Sequence, residues 1–223
     1  FEANISSPNT SDEIFREVKK GASIARGNGR SYGDSSINIE NTIDMKKLNR
    51  IISFDPFTGQ LTSQSGILLV DIINIFLPRG WFPLITPGTK YVTLGGMVAA
   101  DIHGKNHHKD GSFRNCVEWL DLMLSSGEIK RCSRSENKEL FNWTIGGMGL
   151  TGIIINVSIK LKSVSTKWIK QKTISTNNFD ETIEKIELSL KSTYSVAWID
   201  CLATEKKLGR ALIYTGEHAS PND

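Results

Sequence analysis

Ala25-Arg26-Gly27-Asn28-Gly29-Arg30-Ser31-Tyr32-Gly33-Asp34 is the stretch that decides the fold. Gly27 and Gly29 permit left-handed backbone and close approach, so successive N–H groups can line one concavity that favours an anion. Arg26 and Arg30 add charge-assisted donors. A dinucleotide turn of the Gly-x-Gly-x-x-Gly kind would need glycine where Tyr32 stands and a helix after it. Residues 34–41 are instead rich in Ser, Asn and Asp, without helical periodicity. The phosphate loop of nucleoside triphosphatases is excluded too, because no Gly-Lys-Ser/Thr ends the run. An ordinary surface loop after a short strand at 23–25 would explain an isolated glycine run equally well. Two further glycine clusters downstream weigh against that.

The second cluster lies within Pro87-Gly88-Thr89-Lys90-Tyr91-Val92-Thr93-Leu94-Gly95-Gly96-Met97-Val98-Ala99-Ala100-Asp101-Ile102-His103-Gly104. It reads as a loop leading into a short helix capped by Thr93. Helical spacing would put Gly96, Ala100 and His103 on one nearly bare face ending in an imidazole. A flat ligand can lie on such a face, and so can another backbone. The third cluster, Gly146-Gly147-Met148-Gly149-Leu150-Thr151-Gly152, runs straight into Ile153, Ile155, Val157, Ile159 and Leu161. These alternate with Asn156, Ser158, Lys160 and Lys162, the period of a half-buried strand.

Around these clusters the chain predicts mixed helices and strands. Ser11 is the expected cap of a helix through Lys20 with Ile14, Phe15 and Val18 on one face and Gly21 as its stop. Strands are expected at 42–45, 51–55 and 60–65, with a Pro56-Phe57-Thr58-Gly59 turn, then a helix at 68–77 ending near Gly80. Residues 81–87 are extended and Pro-punctuated, fit for an edge or loop. A hairpin follows, with strands at 116–124 and 129–132 about Ser125-Ser126-Gly127-Glu128, then a short helix at 137–141. Beyond about Ser163 come a strand at 168–174, a helix carrying Phe179, Ile183, Ile186 and Leu190, and strands at 194–201 and 210–215. That β-α-β-β piece lacks the elements that close a two-layer domain. A chain that starts at Phe1 rather than Met, and stops at Ser220-Pro221-Asn222-Asp223, reads as trimmed or partial.

Composition bounds the function. The chain has 223 residues, 39% of them hydrophobic, enough for a packed core. Its 27 basic and 24 acidic residues give a net charge of +3 spread along the sequence, too balanced for a nucleic-acid surface. No stretch of eighteen apolar residues and no signal peptide is visible. Cys116, Cys132 and Cys201 are odd in number and lack metal spacing, which argues against a disulfide framework or a zinc site. Asp101, His103, His107 and His108 offer a second possible metal set. His103 and His107 have helical i,i+4 spacing, but Gly104 weakens the helix and no Glu follows His103 to act as base.

Together, in this order and spacing, the three glycine elements resemble the flavin-binding domain of the vanillyl-alcohol oxidase and para-cresol methylhydroxylase (PCMH) superfamily. The likeness is narrower still to its polyprenylphosphoryl-ribose-oxidising branch. It is carried by residues 26–34, by Asp101-Ile102-His103-Gly104-Lys105-Asn106-His107-His108, by residues 146–152 and by Tyr194-Ser195-Val196-Ala197-Trp198. The resemblance implies an α+β fold: a PCMH-type FAD-binding domain at 1–163, made of two α+β subdomains at about 1–85 and 86–163. The start of an α+β substrate domain would occupy 164–223.

By the same resemblance, Ala25, Arg26, Gly27, Asn28, Gly29, Arg30, Ser31, Tyr32, Gly33, Asp34 and Ser35 hold the pyrophosphate of FAD. Gly88, Thr93, Leu94, Gly95, Gly96 and Ala100 line the cofactor, as do Gly149, Gly152 and Ile154. His103, Gly104, Asn106 and His108 lie by the isoalloxazine. Tyr32, His103 and Lys105 are the implied catalytic residues and Trp198 the substrate contact; no metal is implied. Arg30 stands where many superfamily members carry a flavin-linked histidine, so FAD is expected to be non-covalent.

The implied reaction oxidises a secondary hydroxyl of a sugar, the 2′-hydroxyl of a polyprenylphosphoryl-ribose, in cell-wall arabinose epimerisation. An NAD-dependent short-chain reductase would be the partner that completes the epimer. Oxidation of an alditol or aldonolactone by the same fold, and a flavin-binding fragment without turnover, are the alternatives. A lipid-linked sugar phosphate implies peripheral membrane association of a cytoplasmic or periplasmic protein.

Overall fold

The computed structural model describes residues 2–222. Its first layer is a small parallel sheet in the order β1-β3-β2, built from β1 (Ile5–Ser6), β2 (Ile24–Arg26) and β3 (Thr42–Asp44). Helix α1 (Ser11–Val18) covers it and buries Ile14. The cap is Thr10, one residue before the expected Ser11: its side chain accepts from Glu13 N at 3.2 Å. In return Glu13 Oε2 accepts from Asn9 N at 2.6 Å, so two otherwise unpaired amides are satisfied together. The helix stops at Val18, short of Lys20.

The second layer is an antiparallel sheet. Strands β4 (Ile51–Asp55) and β5 (Gln60–Gln64) form the expected hairpin, and helix α2 (Leu69–Phe76) follows, burying Leu69, Ile72 and Phe76 on one stripe. Strand β6 (Trp81–Pro83) is an edge strand, where Pro83 is tolerated. Helices α3 (Leu94–Ala99) and α4 (His107–Asp110) lead to the hairpin of β7 (Val117–Met123) and β8 (Ile129–Ser133), then to α5 (Lys138–Thr144). Strand β9 (Ile153–Ser163) is the spine: β5 pairs along one edge and β7 along the other, in the order β4-β5-β9-β7-β8, and β6 pairs with the last residues of β9. The pairing thus joins residues on both sides of position 85, where two subdomains were expected to divide.

Strand β9 departs from the simple alternation. Asp121 pairs with Asn156 but Leu122 pairs with Ile154, leaving Ile155 as an extra residue, a bulge. The side-chain faces exchange there. Ile153 and Ile155 pack with Ile14, Ile43, Met45 and Leu48, whereas Ile154, Val157, Ile159 and Leu161 join the main core with Leu94, Met97, Phe113 and Phe141. The strand is therefore buried on both sides rather than half-buried.

The last elements are β10 (Ile169–Thr176), α6 (Phe179–Ser189), β11 (Tyr194–Ile199) and β12 (Ala211–His218), with an antiparallel sheet in the order β10-β12-β11. Helix α6 is turned away from its expected apolar stripe. Phe179, Ile183 and Leu190 are exposed, and Thr182 and Ser189 are buried instead. A polar network fixes that rotation: Thr182 Oγ1 donates to Gly209 O at 2.8 Å and lies 2.6 Å from Thr176 Oγ1.

Candidate functional site

The three glycine clusters meet at one open cleft. Ala25, Gly27, Asn28, Gly29, Arg30, Ser31 and Ser35 form one wall. Thr93, Gly95, Gly96 and Ala100 form a second, and Gly149, Gly152 and Ile154 a third. The bulge at Ile155 is what places Ile154 on this side of β9.

Two close approaches hold the walls together. A Cβ on Gly27 would lie 2.2 Å from Thr93 Oγ1, and one on Gly95 2.8 Å from Ser65 Cβ, so both positions need glycine for contact. Gly95 N donates to Ser65 O at 2.7 Å and Gly96 N to Thr93 Oγ1 at 3.2 Å, which uses the first free amides of α3. The loop is different. Among the described residues, the backbone N–H groups of Asn28, Gly29, Arg30 and Ser31 donate to no protein acceptor, and all four residues line the cleft. Gly29 has φ 62°, the left-handed backbone expected of it. Arg26 braces this loop from outside the cleft, its guanidinium donating to Ser36 Oγ at 3.0 Å.

The third wall is tied to α3. Gly146 N donates to Val98 O at 3.1 Å and Met148 N to Ala99 O at 2.9 Å. Arg114 reinforces the tie: its guanidinium donates to Ile145 O at 2.9 Å and lies 3.7 Å from the Asp101 carboxylate. Asp101 in turn accepts from Ser112 Oγ at 3.0 Å and from Arg114 N at 2.9 Å. That anchoring holds Asp101 at φ 41° and ends the helix at Ala99.

Helical spacing from Gly96 to His103 is therefore absent. His103 sits instead in an antiparallel bridge with Ser112, exposed and outside the cleft lining. The same ending removes the helical basis of a His103–His107 metal pair; their rings meet edge to face at 5.6 Å.

Other expected residues also lie off the lining. Tyr32 is 98% exposed, and Gly33, Asp34 and Gly88 flank the mouth without lining it. Leu94 is a fully buried core residue. Gly104 is a packing glycine, since a Cβ there would meet Thr86 O at 2.7 Å. Asn106 is fully buried, donating to Leu84 O at 2.9 Å and Asp110 Oδ2 at 2.6 Å. His108 Nε2 lies 2.9 Å from Ser192 O, just before β11. Lys105 is exposed, and its carbonyl accepts from Ser195 N at 2.9 Å. Trp198 is exposed on the same strand as Ser195.

Ser36, Met45 and Ser65 line the cleft from outside the three glycine clusters, and Val92, Met97, Ala99, Ile102 and Met148 line it from within them without having been named as contacts. Ser65 ends β5 beside a glycine, which was the available signal. Its hydroxyl is buried with no hydrogen-bond partner among the described residues.

Residues 8–133 match the model of the FAD binding domain family, and the chain belongs to that family. It is 39% identical to the decaprenylphosphoryl-beta-D-ribose oxidase of Mycolicibacterium smegmatis over 97% of this chain and 49% of that protein. It is 27% identical to the L-gulonolactone oxidase of Bos taurus, over 81% of this chain and 40% of the relative. It is 35% identical to cytokinin dehydrogenase 5 of Arabidopsis thaliana, over 47% of this chain and 20% of the relative. The chain thus spans about half, or less, of the length of the curated relatives it matches.

The cleft fits FAD on its own chemistry. Four unspent amides suit a diphosphate. The unpartnered Ser65 hydroxyl suits a polar ligand atom, and the Gly95-Gly96 and Ala99-Ala100 surface leaves room for a flat ring.

Proposed function

We propose that this chain is the cofactor-binding part of an FAD-linked oxidoreductase that oxidises the 2′-hydroxyl of a polyprenylphosphoryl-ribose. The observation that carries the cofactor assignment is the row of unspent amides from Asn28 to Ser31, facing the two other glycine walls across one cleft. The substrate assignment is supported by 39% identity to the Mycolicibacterium oxidase over 97% of the chain.

Bound FAD supplies a two-electron acceptor for the hydride that leaves the alcohol carbon, while the hydroxyl proton is lost and a ketone results. The rest falls to the protein. The 28–31 loop holds the diphosphate through backbone N–H groups, and Arg26 keeps that loop closed through Ser36. Ser65 donates or accepts one hydrogen bond from the buried wall. Arg30 offers no nucleophilic imidazole, so binding is non-covalent and rests on these contacts.

His103 follows Ile102, a residue of the lining, and Lys105 is joined to β11 through Ser195. These two links support a role for His103 and Lys105 in orienting a sugar against the cofactor. Tyr32 is exposed and adjoins Ser31, a residue of the lining. The domain arrangement follows: residues 1–163 bind FAD and 164–223 begin the substrate side.

The likeness to L-gulonolactone oxidase favours a soluble aldonolactone as the second substrate reading. No helix among the described residues is long and apolar enough to cross a membrane. Anaerobic mixing of the FAD-loaded, full-length protein with phosphoryl-ribose lipid or with an aldonolactone separates the two. Bleaching of the flavin absorbance by the lipid alone supports the ribose assignment, and bleaching by the lactone alone overturns it.

A further inference from the structure

At the seam between the two antiparallel sheets lies a cluster that the proposed chemistry does not use. Lys162, on β9, donates from Nζ to the Tyr194 hydroxyl of β11, and that hydroxyl lies 3.0 Å from His218 Nε2 of β12. The three side chains are partly buried, and Phe82 of β6 closes the cluster, its ring meeting that of His218 edge to face with the centroids 5.6 Å apart. His218 Nδ1 is buried without a partner among the described residues. Beside the cluster, three ties from the 105–109 segment run to the chain about Tyr194. Ser195 N donates to Lys105 O at 2.9 Å, Lys109 Nζ donates to Lys191 O at 2.7 Å, and His108 Nε2 lies 2.9 Å from Ser192 O.

We propose that Tyr194 is a positioning residue: gripped between Lys162 and His218, it seats β11 against β9 and so fixes the turn bearing His103 and Lys105. What that turn serves rests on the function proposed above; the seating itself does not.

The grip needs a neutral imidazole. With the Lys162 ammonium donating to the phenol oxygen, the phenol proton goes to His218 Nε2. A protonated His218 would offer a second donor, and the phenol proton would lose its acceptor. The charged groups around His218 are Lys162 on β9, Glu217 on its own strand with Lys170 opposite it on β10, and Lys109 and Asp110 on α4. Burial first, then Lys162, hold the imidazole below its ordinary 6.5, against the opposing pull of Glu217. Burial likewise pushes the Tyr194 phenol up to about 12, so it remains a donor across the working range. A depressed folded value means that the seating is at full strength above pH 6.5 and is lost as pH falls through that depressed value.

The test is amide hydrogen exchange of the full chain, reading protection at Ser195 against core amides of β7 and β9, in wild type, Tyr194→Phe and His218→Gln. We expect Tyr194→Phe to lower protection at Ser195 about tenfold, the scale of one lost hydrogen bond, with the core unchanged. In wild type that protection, corrected for intrinsic exchange, should fall below pH 6.5, and His218→Gln should flatten the dependence. Unchanged protection in Tyr194→Phe, or the same pH dependence in His218→Gln, overturns the proposal. Should Tyr194→Phe fail to fold, the pH comparison with His218→Gln decides. FAD content is measured in parallel; its absence from all three proteins counts against the cofactor assignment and leaves the exchange result standing.

Discussion

Gly27 and Thr93 approach so closely that a Cβ on the glycine would stand 2.2 Å from the threonine hydroxyl oxygen. That hydroxyl is already the cap of α3, accepting from Gly96 N. One contact therefore joins the first glycine loop to the helix that forms the opposite wall. Gly27→Ala must move one or the other, with a loss of about 1–3 kcal/mol from overpacking and a weakened cap. Thermal melts should show that loss, and FAD titration a weaker affinity. Full affinity in the variant would mean the two walls do not act as one site.

Ser65→Ala tests the buried hydroxyl with two readouts of opposite sign. Removing an unpartnered buried polar atom is neutral or mildly stabilising in the ligand-free chain, but it costs about 1 kcal/mol of FAD binding if the cofactor is its missing partner. Melting with and without FAD separates the two effects. An unchanged FAD affinity would remove Ser65 from the site.

Arg114→Ala should loosen the third wall. It deletes donors to Ile145 O and Asn142 and the tie to Asp101, yet the guanidinium is about one-third exposed, so the stability loss should be only about 1–2 kcal/mol. Faster exchange at the Gly146 and Met148 amides would locate the effect. If those amides keep wild-type protection, the tie does not hold the loop.

His103→Ala should separate binding from turnover. The imidazole lies outside the cleft lining, so FAD should remain bound while its reduction by substrate slows on the order of 10²-fold. Rapid-mixing absorbance in the full-length protein measures both. An unchanged rate would take His103 out of the mechanism.

Local chemistry made much of this structure legible. The Pro56–Gly59 and Ser125–Glu128 turns, the Thr93 cap and the convergence of small residues follow from turn geometry and side-chain size within a few residues. What escaped was set at a distance. The end of α3 depends on Asp101 being held by Ser112 and Arg114, eleven and thirteen residues away in sequence. The face of Ile154 depends on a bulge that exists only in the pairing of β7 with β9. The orientation of α6 depends on the polar contacts of Thr182 with Thr176 and Gly209, which outweighed its apolar stripe. Met45 and Ser65 belong to no motif and reach the cleft only because their strand ends pack beneath the loop.

FAD binding by the purified chain bears most directly on the whole account. Titration of the colourless, folded protein with FAD should saturate at one cofactor per chain and raise stability by about 2.7 kcal/mol at a hundredfold excess over Kd. Denaturation should then release all of the FAD, as non-covalent binding requires. A folded, full-length protein that takes up no FAD at saturating concentration would contradict it.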